Sequence, residues 1–225
     1  IYVLSRLKSS VIGDLLEIFD TKSIEEFLSP SSQMLPESPL SGITILSKSI
    51  LENENTTTLN FKGSSGLYFR EIFFHIPLLV ADHLNSESKF KDADWWYRRI
   101  FDPTAKREDS LINPIDSNWR YVEFRNQDEP KFSIDLTDQA AIEVYRSDPF
   151  NPHAIARLRT SAYQKSTVLK YIDNLLDWGD SLFRKDTLEA IYEAMMLYVL
   201  AQDILGERPQ ELCKCETVEE DQLTY

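Results

Sequence analysis

Val168-Leu169-Lys170-Tyr171-Ile172-Asp173-Asn174-Leu175-Leu176-Asp177-Trp178-Gly179-Asp180-Ser181-Leu182 is the stretch that decides the fold, read together with Leu188-Glu189-Ala190-Ile191-Tyr192-Glu193-Ala194-Met195-Met196-Leu197-Tyr198 that follows it across Lys185-Asp186. Val168, Ile172, Leu175, Leu176, Gly179 and Leu182 recur at helical spacing and predict one apolar face. Leu188, Ile191, Met195, Tyr198 and Leu205 predict another. Asp186, three residues before Glu189, suits a helix N-cap, and Gly206 followed by Pro209 is a stop signal. The prediction is an antiparallel hairpin of two helices. A glycine inside a helix costs about 1 kcal/mol relative to alanine, so Gly179 beside Trp178 predicts close approach of the neighbouring helix.

Upstream of the hairpin the pattern is mixed. Residues 137–146 read as a short helix, Asp148-Pro149 as a break, and Pro152 as the opening of the next helix. Leu4, Leu7, Val11, Leu15 and Ile18 follow helical spacing, although Ile1-Tyr2-Val3-Leu4 fits a strand start equally. Ser23 and Glu26 form the S-x-x-E capping arrangement of a short second helix. Residues 29–42, with Pro30, Pro36 and Pro39, read as a loop. Residues 43–46 and 56–61 are rich in β-branched side chains and predict a β-hairpin. Gly63-Ser64-Ser65-Gly66 is a turn before an apolar helix over 67–84, which Pro77 is expected to kink or divide. Phe90, Ala93, Trp96 or Tyr97, and Ile100 or Phe101 share a helical stripe that ends at Asp102-Pro103. Residues 104–118 and 126–133 read as loops flanking a strand over 119–124. The expected class is α+β and predominantly α-helical, with antiparallel helix hairpins and a small β-hairpin or sheet portion. The expected division is 1–42, helical segment and proline-rich loop; 43–134, β-hairpin and aromatic helical region; 135–209, helical hairpin; and 210–225, acidic tail.

Composition narrows the function. A formal net charge of -13 over 225 residues repels a phosphate backbone, and no Lys/Arg cluster offsets it, so nucleic acid is excluded as a partner. The longest apolar runs, 72–81 and 195–201, fall short of the roughly 18 to 20 residues that span a bilayer, so the piece is expected to be soluble. The sequence opens on Ile1 with no signal-peptide pattern and reads as cut from something longer. The two cysteines, Cys213 and Cys215, lack the second ligand pair of a zinc site and read as exposed thiols.

Catalysis requires convergent groups, and the sequence offers few. His75 and His83 are eight residues apart with Pro77 between them, too far for an H-E-x-x-H pairing. His153 sits near a helix start among Asp148, Arg157 and Arg159, a setting for capping and ion pairing. Asp173, Asp177 and Asp180 fall on one helical stripe, but no Glu-x-x-His accompanies them, and Lys170 and Arg184 flank them as in a solvated ion-pair face. The Gly63 to Gly66 turn lacks a Walker lysine and reads as a turn rather than an anion site. No G-x-S-x-G elbow is present. The expectation is that the chain is not an enzyme, with no catalytic, cofactor-binding or metal-binding residue and no cofactor.

A series of segments occurs in family order: Phe61-Lys62-Gly63-Ser64-Ser65-Gly66-Leu67-Tyr68-Phe69 leading to Glu71-Ile72-Phe73-Phe74-His75-Ile76-Pro77; Trp96-Tyr97 with Ile100-Phe101-Asp102-Pro103-Thr104; Trp119-Arg120; and Asp148-Pro149-Phe150-Asn151-Pro152-His153 through Tyr163-Gln164-Lys165, Trp178-Gly179-Asp180 and Tyr198 to Leu205-Gly206-Glu207-Arg208-Pro209. In these the chain resembles the A component (TcA) of bacterial insecticidal toxin complexes, the Tc or ABC toxins, in the region preceding the pore-forming channel. Arg70 departs from the pattern where an aromatic is expected, and residues 211–225 match nothing in it. The resemblance implies a structural and assembly module, a scaffold, of a secreted or bacterial-surface toxin subunit. Its implied partners are other segments of the same large chain, the copies of a homopentamer, the B and C components that carry the payload enzyme, and the host cell surface through other domains. The competing readings are a self-contained helical protein-binding module and, least favoured, a hydrolase or metal enzyme that brings a histidine to the aspartate stripe. The scaffold reading predicts exposed apolar surface on the isolated piece; the binding-module reading predicts little.

Overall fold

Ser23 starts a helix as its sequence context predicts: its hydroxyl accepts the Glu26 amide at 3.3 Å. In the computed structural model, residues 9–36, 59–61, 65–105, 117–125, 143, 146, 150 and 160–207 are described. The expected helix over 137–146, the opening at Pro152, the tail and both cysteines lie outside these residues. Helix α1 (Ile12–Thr21) buries Leu15, with Val11 at its start fully buried. Helix α2 (Ile24–Phe27) is followed by α3 (Pro30–Gln33), which corrects the loop expected there. Pro30 takes the first helical position, where its missing N–H is one that no intrahelical carbonyl would receive.

Helices α4 (Gly66–Arg70) and α5 (Ile76–Ser86) are joined without a break by a π-helical turn over Glu71–His75. Pro77 was expected to kink or divide this segment. The segment is divided into two α-helices here, and the division is made by a slip of the ladder, in which the Ile76 amide donates to the Glu71 carbonyl five residues back. A proline has no N–H to offer the carbonyl four residues before it, and a π turn next to it absorbs the mismatch. At the other end, a Cβ on Gly66 would lie 2.0 Å from the Phe61 carbonyl oxygen, so only glycine lets the chain enter α4 there.

Helix α6 (Phe90–Tyr97) follows, and its chain leaves through Phe101, which forms an isolated antiparallel bridge with Trp119. The strand expected over 119–124 is corrected to this bridge plus a 3-10 turn, Val122–Phe124. A 3-10 turn brings residues three apart to one side, so Tyr121 and Phe124 both face the core, with ring centroids 4.8 Å apart. No strand occurs among the described residues; of the expected β-hairpin only Leu59–Phe61 is described, and it is irregular.

The long pair α7 (Thr160–Phe183) and α8 (Leu188–Leu205) forms the expected hairpin, with α7 lying across α6 and α5. The cap of α8 is Thr187, whose side chain accepts the Ala190 amide at 3.3 Å, and not Asp186, which takes a left-handed φ of 51° in the connection. Gly206, at φ 72°, ends the helix. Gly179 meets its expectation: a Cβ there would stand 2.6 Å from the Tyr198 ring.

The core is aromatic and continuous from α1 to α8, built on Phe61, Phe69, Phe73, Phe74, Tyr97, Phe101, Trp119, Tyr121, Phe124 and Tyr171. Phe74 is its hub. It stacks on Tyr121 at 5.4 Å and meets Phe124 and Tyr163 edge-on at 5.0 and 5.5 Å. The inward face of α8 corrects the expected one. Ala190, Ala194 and Ala201 are buried, Ile191 and Tyr198 are half-buried, and Leu188, Met195 and Leu205 stand exposed.

Candidate functional site

The most concentrated polar chemistry lies where α4 meets the 3-10 turn. Arg70 reaches Glu123 across 53 residues with a forked contact, Nε to Oε2 at 3.0 Å and Nη2 to Oε1 at 2.6 Å. The Tyr121 hydroxyl donates to the same carboxylate at 2.5 Å. Burial, reinforced by that carboxylate, pushes the Tyr121 phenol far above its ordinary range. The hydrogen bond to Glu123 raises Arg70 further, against the opposing cost of its burial. Phe74, His75, Thr160 and Tyr163 complete the lining of a cavity of about 30 Å³, room for about one water-sized sphere. The phenol holds its proton, the guanidinium its charge, and the carboxylate is occupied by both. The arrangement of Arg70, Tyr121 and Glu123 supplies cross-links between elements. Arg70, the position that departs from the family pattern, thus has a partner that only the folded chain provides.

Gln33 is the second long-range polar element, and nothing in the sequence marked it. It is fully buried at the end of α3. Its Nε2 donates to the Arg120 carbonyl at 3.1 Å, and its Oε1 accepts the Val122 amide at 2.9 Å. One side chain therefore satisfies both a donor and an acceptor of the segment that carries Tyr121 and Glu123. Tyr171 on α7 does similar work, donating to Asp94 Oδ1 at 2.9 Å, while Asp94 also pairs with Arg98 at 2.9 Å. Burial, then the Asp94 charge, raises the Tyr171 phenol.

The residues weighed from sequence are not brought together. The His75 ring packs on Phe74 and Tyr163 at 4.8 and 5.9 Å, while His83, on the exposed side of α5, faces Glu87 at 3.2 Å. The aspartate stripe is divided among separate partners. Asp177 accepts from Asn85 at 3.0 Å, Asp180 accepts from the Tyr198 hydroxyl at 2.7 Å, and Lys170 turns away to Asp82 at 2.7 Å. Among the described residues no three His, Cys, Asp or Glu side chains converge as a metal site would require. His153 lies outside them. A shallow groove of about 410 Å³ runs between α5 and α7, lined by Leu67, Glu71, His75, Leu78, Leu79, Asp82 and Lys170, and its one cation already pairs with Asp82. No helix among the described residues is long and apolar enough to cross a membrane.

No protein-family model matches the chain. Over 152 residues, 67% of its length, the chain is 30% identical to the toxin subunit YenA2 of Yersinia entomophaga, of which it spans 10%. Two structures solved by cryo-EM share its fold. TcdA4 of Morganella morganii aligns over 92% of the chain with a TM-score of 0.62 and 20% identity, the chain spanning 13% of it. TcaA-TcaB of Yersinia pseudotuberculosis aligns over 93% with a TM-score of 0.59 and 24% identity, the chain spanning 10% of that structure's chain.

Proposed function

We propose that this chain, a relative of the A-type components of the Tc toxins in sequence and fold, is a structural and assembly module of such a subunit. In this reading the chain catalyses nothing. It positions receptor-binding and channel-forming parts supplied by the rest of a secreted or surface-displayed subunit, which works as a homopentamer with B and C components. The observation that carries the reading is apolar surface left on the outside of the hairpin: Leu188 is 63% exposed, Met195 55% and Met196 75%. A self-contained binding module would bury such side chains, whereas a scaffold presents them to neighbours. The polar clusters support the same reading, since Arg70, Gln33, Asp94 and Tyr171 are all engaged in holding helices to one another.

The test uses the whole A component. Leu175→Asp places a charge at a fully buried position of α7, and the expected outcome is failure of the A component to assemble and deliver, with the payload enzyme of the C component fully active when assayed directly. Normal delivery by an A component shown to carry the substitution would overturn the scaffold role.

A further inference from the structure

Helix α8 is apolar on two opposite sides. Its inner side carries Ala190, Ala194 and Ala201 against α7, with Leu197 and Tyr198 partly buried beside them. Its outer side carries Leu188, Tyr192, Met195, Met196 and Val199, each more than half exposed. A helix apolar all round is a buried helix, and here only half of that burial is present. The hairpin loop keeps α8 against α7 on the alanine side, so the outer side can be covered only from outside the described residues.

The spacing on the outer side says what covers it. Leu188, Tyr192, Met195 and Val199 are separated by four, three and four residues, the a/d spacing of a coiled-coil seam, which is met by knobs from another helix. Met196 follows Met195 at the edge of the seam, and the two carboxylates that border it are Glu189, which follows Leu188, and Asp203, one turn beyond Val199. Helix α8 contains no lysine or arginine. Two copies of α8 would set these carboxylates against each other, and an anionic membrane surface would be repelled in the same way. The complementary occupant is a helix with its own a/d apolar stripe flanked by Lys or Arg. A second stripe extends the surface on α7, where Leu169, Leu176 and Phe183 recur every seven residues and are exposed.

We propose that the outer face of α8 is a coiled-coil docking seam for a basic-flanked amphipathic helix contributed by another segment of the toxin A component. This deepens the scaffold reading and rests on it, because the chain spans only 10% of the toxin subunit it resembles and leaves most of such a subunit to supply the helix. The eighteen residues of α8 are about 27 Å long, so the occupant needs about four helical turns to match the seam.

The experiment places a photo-crosslinking benzophenone amino acid at position 192 in the full-length A component and identifies the crosslinked peptide by mass spectrometry. The expected product joins α8 to one helical segment of the A component with four-three apolar spacing and flanking Lys or Arg. Met195→Glu should lower its yield by about tenfold or more, the loss of one buried seam side chain. Since Met195 is exposed in the isolated chain, its thermal unfolding is expected to stay unchanged, which separates lost docking from lost folding. A crosslink joining α8 to α8, a crosslink to a protein outside the toxin, or no crosslink in an assembled A component overturns the seam. The scaffold reading fails on different evidence, by delivery surviving Leu175→Asp.

Discussion

Gly179 shows how one residue sets the distance between two helices. A Cβ at this position lies 2.6 Å from the Tyr198 ring, and the ring can swing aside only by giving up its hydroxyl bond to Asp180. Replacing a helical glycine by alanine gains about 1 kcal/mol in propensity, while overpacking costs about 1 to 3 kcal/mol, so Gly179→Ala should destabilise the chain in urea unfolding. Gly179→Ala made in a Tyr198→Ala background should instead stabilise it, a reversal of sign that a double-mutant cycle reads directly. Gln33→Leu leaves the buried Val122 amide without its acceptor and should cost about 1 to 3 kcal/mol in the same assay. Gly179 was legible in the sequence because a glycine in a helix is costly wherever it stands. Gln33 was not, because its partners lie 87 and 89 residues away and a glutamine on a polar loop pattern carries no mark of them.

Tyr121, Tyr171 and Tyr97 form a set of buried phenols whose protons the fold retains, burial being the first cause in each. Their folded pKa values are raised above the unfolded value, so the stability they contribute is complete below about pH 10 and is lost as pH climbs above it. Urea midpoints should be level from neutral pH to about pH 9 and then fall. Tyr121→Phe should soften the fall, while the tyrosinate absorbance of these three phenols appears only with unfolding. A native chain whose buried phenols titrate near pH 10 would contradict the assignment.

Among elements, legibility followed local chemistry. Ser23, Gly206 and the hairpin itself were readable because capping and helical periodicity act within four or five residues. The cap of α8 was misplaced by one residue, from Thr187 to Asp186, since both are good caps and only the left-handed backbone at Asp186 decides between them. Thr187→Ala should therefore cost about 1 kcal/mol and Asp186→Ala should act through the strain of its φ instead. That Pro77 would kink or divide its helix was readable because sequence shows the missing donor, whereas the π form of the division was not, because sequence does not show which carbonyl the ladder will skip. The inward face of α8 was misread for a more general reason: with apolar residues on both sides, periodicity has no unique answer, and the tight approach at Gly179 selects the alanine side.

At the scale of the molecule, an aromatic core ties α1 through α8 together, and the polar residues that a catalytic reading would recruit are distributed among helix-to-helix cross-links. The family resemblance rested on motifs spread along the chain, several of which prove to be core or close-approach positions: Gly66 against Phe61, Phe74 at the hub, Trp119 on Phe101, Gly179 against Tyr198. Packing at these positions tolerates few side chains. In the proposed scaffold, the exposed outer faces of α7 and α8 are where the chain would meet its neighbours.

The central claim is that this chain contributes structure and no chemistry to a toxin subunit. The most direct measurement is payload delivery by the assembled toxin when the A component carries His75→Ala, His83→Ala, Asp173→Asn, Asp177→Asn and Asp180→Asn together, each toxin first checked for assembly. The account predicts delivery within about threefold of the unsubstituted toxin, the scale of about 0.6 kcal/mol in an equilibrium. Delivery abolished in a fully assembled toxin would contradict it and restore a chemical role to the histidines and the aspartate stripe.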